Sequence, residues 1–167
     1  MFHRSRRSFA VLGALLASLV GCERPPREVP VSELRFPVVL VFGDTEAQIN
    51  VNAQDLALMH MGHYTHMPEQ MRVIDAQARV FEMRDIQGEH GGLWMMLNPT
   101  GLMPISFRLI PARSSGLEAA RGVILGCEFF DRVRGADETE RVRDAVRRAS
   151  DMASILRAIV NAPEPGQ

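Results

Sequence analysis

Residues 59–67 read Met-His-Met-Gly-His-Tyr-Thr-His-Met and concentrate potential metal ligands. His60, His63 and His66 offer imidazole nitrogens, and Met61 and Met67, beside Met59, offer thioether sulfurs. Imidazole with thioether is a copper ligand set, the soft sulfur favouring Cu(I), and histidine also titrates near neutral pH. Spacing restrains that reading. On a helix His60/His63 and His63/His66 are neighbours, but His60 and His66 lie about 120° apart around the axis. On a strand His60 and His66 share a face and His63 points away. Only an irregular loop gathers all three, and Gly62 and Pro68 permit one. Methionine also fills irregular cores, and the chain has ten of them. Periodicity therefore favours local structure over a tight metal site. No cofactor is expected, with copper kept as the alternative. No glutamate completes a zinc-protease H-E-x-x-H pattern.

Cys22 is the other residue with defined chemistry. Arg4, Arg6 and Arg7 give a basic start, and Phe9 to Gly21 carries no charge. That run suits the apolar core of a signal peptide and is too short to span a bilayer. It ends in Leu19-Val20-Gly21-Cys22, which resembles the lipobox of bacterial lipoproteins. The resemblance covers residues 1–22 and is silent on the fold beyond them. It implies a diacylglyceryl group on the Cys22 sulfur, cleavage before Cys22 and acylation of the new amino end. Two or three acyl chains anchor a protein firmly where one binds only marginally. The implied location is a bacterial cell membrane or outer membrane, with the domain facing the periplasm. Glu23, in place of the aspartate that retains enteric lipoproteins, inclines toward the outer membrane.

The remaining composition limits the partners. Three of the 19 arginines lie in the leader and none of the 20 acids does. Residues 22–167 thus carry 16 bases against 20 acids, a net charge of −4, which argues against nucleic acid. Lysine is absent, which excludes Schiff-base chemistry. With Cys22 lipidated, Cys127 has no partner in the chain, and its apolar setting VILGCEFF predicts a buried thiol. There is no G-x-S-x-G, no glycine-rich phosphate loop and no C-x-x-C.

The elements follow from periodicity. Residues 1–21 read as signal peptide, and 22–34, with its prolines and alternating charge, as a flexible tether. Residues 35–162 read as a single domain and 163–167 as a tail. Phe36–Phe42 is a strand apolar on both faces, closed by Gly43-Asp44, with a second strand near 48–51. Met71 to Met83 reads as a hairpin turning at 75–78. Gly88–Gly92 reads as a loop, Leu93–Leu97 as a strand and Ile105–Ile110 as a half-buried strand. Ser115 and Glu118 have capping-box spacing before a helix running toward Cys127, which Gly122 and Gly126 weaken, with a strand following or replacing it. Asp137 with Glu140 predicts the start of one helix over 137–160, its apolar stripe running from Val142 through Val146, Ala149 and Leu156. Arg147 and Asp151 are spaced to pair on its wet face. The expected class is α+β, a small and mostly antiparallel sheet packed by that C-terminal amphipathic helix.

Three functions remain open. The first is a non-enzymatic envelope lipoprotein, held to the membrane by Cys22, whose domain binds another envelope protein as an accessory of an assembly. The second is copper handling through His60, His63, His66, Met61 and Met67. The third is a hydrolase assembled from scattered residues, with His90 beside Asp85 or Glu89.

Overall fold

Five consecutive apolar residues, Val38–Phe42, form strand β1, and all five are buried. Alternation splits them: Val39 and Val41 belong to one buried cluster, and Val38, Leu40 and Phe42 to another. A strand dry on both faces needs cover on both sides. The computed structural model, which describes residues 27–44, 46–60, 63, 70–88, 100–127 and 136–161, supplies it.

The fold is α+β. Six strands form one antiparallel, curled sheet in the order β2-β1-β4-β5-β6-β3. Here β2 is Glu46–Asn50, β3 Leu58–His60, β4 Met71–Ile74, β5 Val80–Gly88 and β6 Leu102–Pro111. Among the described residues four helices accompany it: α1 Ala53–Leu56, α2 Leu117–Leu125, α3 Ala136–Arg148 and α4 Met152–Val160. One buried cluster takes Val39, Val41, Ile74 and Val80 from the sheet and Ala120, Ile124, Val142, Val146, Met152, Ile155 and Ile159 from α2, α3 and α4. The other lies on the opposite face, where Leu40, Phe42 and Val73 meet Met59, Met103 and Ile105 from the β3–β6 end. A register shift in β5 between Arg84 and Gln87, with Asp85 at φ 51, bends the sheet so that its ends share that core.

The 71–83 hairpin has Met71 opposite Met83 and Ile74 opposite Val80. Its turn is organised by Asp75, which is fully buried. Asp75 Oδ1 accepts from the amides of Gln77 at 3.0 Å and Arg79 at 2.9 Å. Oδ2 accepts from Arg79 Nε at 2.8 Å and Arg35 N at 3.3 Å. The Arg79 Nη2 donates at 2.6 Å to the Glu33 carbonyl. That last bond bears on the tether. Val29 N donates to Leu109 O at 2.9 Å, Val31–Glu33 form a 3₁₀ turn and Leu34 is buried. The folded part therefore includes Val29–Leu34, ahead of Arg35: Val29, Val31 and Leu34 contribute apolar surface, and the Glu33 carbonyl contributes an acceptor for Arg79.

The C-terminal helix differs from the single rod that periodicity predicts. It breaks between Arg148 and Met152. Asp151, extended at φ −153, caps α4 by accepting from Ser154 N at 2.7 Å. Arg121 covers the end of α3, donating from Nε to Val146 O at 3.2 Å and from Nη2 to Ala149 O at 2.6 Å. With Asp151 used as a cap, Arg147 pairs instead with Glu140 at 2.6 Å and Asp144 at 2.7 Å. Helix α3 starts at Ala136, so Asp137 lies inside its first turn. At α2 the N-cap is Gly116, without a side-chain cap, and the Ser115 hydroxyl accepts from Val80 N at 3.2 Å. Helix α2 runs on to Leu125 through Gly122, so its second half is helix and not strand. Gly88 belongs to β5 rather than to a loop. The predicted loop at 89–92 and strand at 93–97 lie outside the described residues.

Candidate functional site

His60 ends β3, exposed and opposite Leu102 of β6. Gly101, at φ 66, lies so close that a Cβ there would come within 2.9 Å of the His60 Nε2. Only glycine fits both that backbone angle and that approach. His63 lies beside it, the two ring centroids 6.0 Å apart, and it tilts over Phe42 at 4.7 Å. Met59 faces the core, buried and paired with Met103. The structure thus brings His60 and His63 together, as three-residue spacing allows. Cys22, Met61, His66 and Met67 lie outside the described residues, as do His90 and Glu89. Among the described residues no group of three or more His, Cys, Asp or Glu could hold a metal ion. Asp85 is an exposed residue paired with Arg108 at 2.6 Å.

A different site emerges from the sheet's helix-side face. Arg72, Glu82 and Ile110 are register neighbours across β4, β5 and β6, at the end of the sheet away from the Ile74–Val80 row. Helix α2 runs beside this row and presents Ala119, Gly122, Val123 and Gly126 to it. Between them lies a cavity of about 480 Å³ lined by Gly43, Asp44, Gln70, Arg72, Gly122, Val123 and Gly126. Two adjoining depressions, of about 390 and 160 Å³, also include Arg72 and extend the groove to Glu82, Arg84, Arg113 and Ser114.

No family model, no curated protein and no solved structure matches this chain.

Within the groove, Arg72 is half-buried and donates from Nη2 to Gln70 Oε1 at 3.0 Å. Its cross-strand neighbour Glu82 is engaged by Arg84, whose Nη2 donates to it at 2.5 Å. The chain's described thiol lies close to the same residues. Cys127 is free and fully buried, and its Sγ donates to Val123 O at 3.5 Å. Burial pushes the thiol up to about 11, the Asp44 carboxylate pushes the same way, and Arg72 opposes them. At neutral pH it is therefore protonated and a poor nucleophile. What the groove offers is recognition: a guanidinium fork, a carboxylate, an amide and bare helix backbone.

Sequence reasoning did not find this groove. Its one available signal was Gly122 within an otherwise helical stretch, where glycine costs about 1 kcal/mol relative to alanine. Arg72 reads only as the polar position of a strand.

Proposed function

We propose that this chain is an exported bacterial lipoprotein, held to a cell-envelope membrane by lipid on Cys22, whose domain binds another envelope protein without catalysing a reaction. The observation that carries this is the leader: a basic start, an uncharged run, and Leu19-Val20-Gly21-Cys22. The acidic charge beyond the leader and the protonated state of Cys127 support it. Docking of Val29 against Leu109 adds a distance. From Val29 back to Cys22 the chain can reach at most roughly 25 Å. The domain would work close to the membrane surface. In this reading α3 and α4 are the sheet's structural cover. Support comes from the cluster that Val142, Val146, Ile155 and Ile159 share with Val39, Val41 and Ile74.

Fractionation of the expressing bacterium tests the anchor. The wild-type chain is expected in the membrane fraction in processed form, and Cys22→Ala as unprocessed precursor. Wild-type protein released as free soluble chain would refute it.

Copper handling is favoured by the adjacency of His60 and His63. Titration of the full chain in detergent with Cu(I) and Cu(II) against a competing chelator decides it. The expected result is loose binding only. One equivalent at nanomolar affinity, lost in a His60/His63/His66 triple-alanine variant, would make metal handling the leading function.

A further inference from the structure

We propose that the groove around Arg72 binds a carboxylate-bearing peptide segment of the partner protein. The Arg72 guanidinium grips the carboxylate, and the peptide passes along the Gly122 face of α2. This rests on the reading of the domain as a protein-binding module and names the surface that performs it.

The first support is how the arginines are used. Arg79, Arg84, Arg108, Arg121 and Arg147 each pair with a carboxylate of the chain. Arg72 lies on a cavity, half-buried, and donates to the neutral Gln70; among the described residues no carboxylate comes within ion-pair range of it. Glu82, directly across the strand pair, is held by Arg84. A planar guanidinium left on a groove floor suits a carboxylate, which it can grip in bidentate fashion.

The second support is Gly122. It sits in the interior of a nine-residue helix. A Cβ built there meets no atom within 4 Å, so packing does not require glycine. Gly126, one turn on, differs: its Cβ would come within 3.3 Å of the Gly122 carbonyl. Gly122 weakens α2 and in return leaves the groove wall open.

The third support is shape and charge. The three depressions share Arg72 and together take in residues from Gly43 and Asp44 to Arg113 and Ser114, more room than a small ion needs. Among the described residues, Arg72, Arg84 and Arg113 outnumber Asp44 and Glu82 along the groove, whereas residues 22–167 carry a net −4. An acidic ligand is the complement. Asp44 at one end can accept from a peptide N–H.

The test uses the ¹⁵N-labelled full chain in detergent and three probes: acetyl-Ala-Ala-Glu-Ala-Ala-amide, its Gln counterpart, and inorganic phosphate. The Glu peptide is expected to shift the Arg72 Nε–H and the Gly122 and Gly126 amides, and to bind about tenfold more tightly than the Gln peptide. Arg72→Gln should abolish that preference. Gly122→Leu should block the peptide, and its melting curve will show whether the fold is kept. Equal binding of the two peptides, or no shift in the groove at about 20 mM, a concentration that reveals even millimolar sites, would overturn the proposal. Phosphate binding as tightly as the Glu peptide would identify a free-anion site and overturn it too. Either failure leaves the anchor untouched, since the anchor is judged on Cys22.

Discussion

The β4–β5 hairpin has an arginine at each end, and the two are used in opposite ways. At the turn, Arg79 is bound to the fully buried Asp75 and to the Glu33 carbonyl. At the open end, Arg72 donates to Gln70, its one side-chain partner among the described residues, and faces a cavity. The same residue type, seven positions apart, is structural where its donors are consumed inside the chain and available where they are not. A polar network that is satisfied fixes one conformation. A guanidinium with unused donors on a groove has binding capacity to offer.

That contrast can be broken at several points, and Asp75→Ala should have the largest effect. It leaves three backbone amides, those of Arg35, Gln77 and Arg79, without their acceptor and removes the carboxylate partner of the partly exposed Arg79 guanidinium. The expected loss is about 3–5 kcal/mol in urea denaturation. A loss below about 1 kcal/mol would mean the turn is not held by this network.

Cys127 sharpens the contrast from beside the groove. Its ordinary value of 9.0 rises to about 11 in the fold. Below pH 9 the thiol is protonated in both states and its contribution is complete. As pH rises from 9 toward 11 the unfolded chain ionises first and stability falls. The loss relative to Cys127→Ala should approach about 2–3 kcal/mol by pH 11. Arg72 opposes the shift, so Arg72→Gln should push the thiol higher still, as read by thiolate absorbance. A downward move would contradict the placement of Arg72.

Gly122→Ala should stabilise the protein by about 0.5–1 kcal/mol, because helix propensity improves and the added methyl meets nothing. A net loss would show that the wall is not open. Arg72→Gln should change stability least, within about 0.5 kcal/mol. A loss as large as that of Asp75→Ala would erase the distinction between the two arginines.

Legibility in the sequence followed period. Val38–Phe42 and Met71–Ile74 with Val80–Met83 were readable because apolar β-branched runs and turn residues bound them. The half-buried alternation around Ile105 and Leu109 was also readable, though β6 extends past it at both ends. The helix break was missed because the apolar stripe continues across it. Ile155, fully buried, is a core position that the single-helix stripe omits. What ends α3 is distant: Arg121 reaches its last carbonyls from α2. The Val29–Leu34 docking was hidden for the same reason, since Leu109 and Arg79 lie far along the chain. The groove could not be read at all, because it arises where the sheet row of Arg72 meets the bare face of α2. Of the histidine cluster, spacing left the closeness of His60 and His63 open, since it makes them neighbours on a helix and opposes them on a strand; the chain turns after His60, the last residue of β3, and the two rings meet.

The lipid proposed on Cys22 is read out by the mass of the amino-terminal peptide of the protein recovered from membranes. The expected peptide begins at Cys22 and carries diacylglyceryl on sulfur and a fatty acyl group on nitrogen. An unmodified Cys22, or a peptide that still includes Leu19-Val20-Gly21, would contradict it.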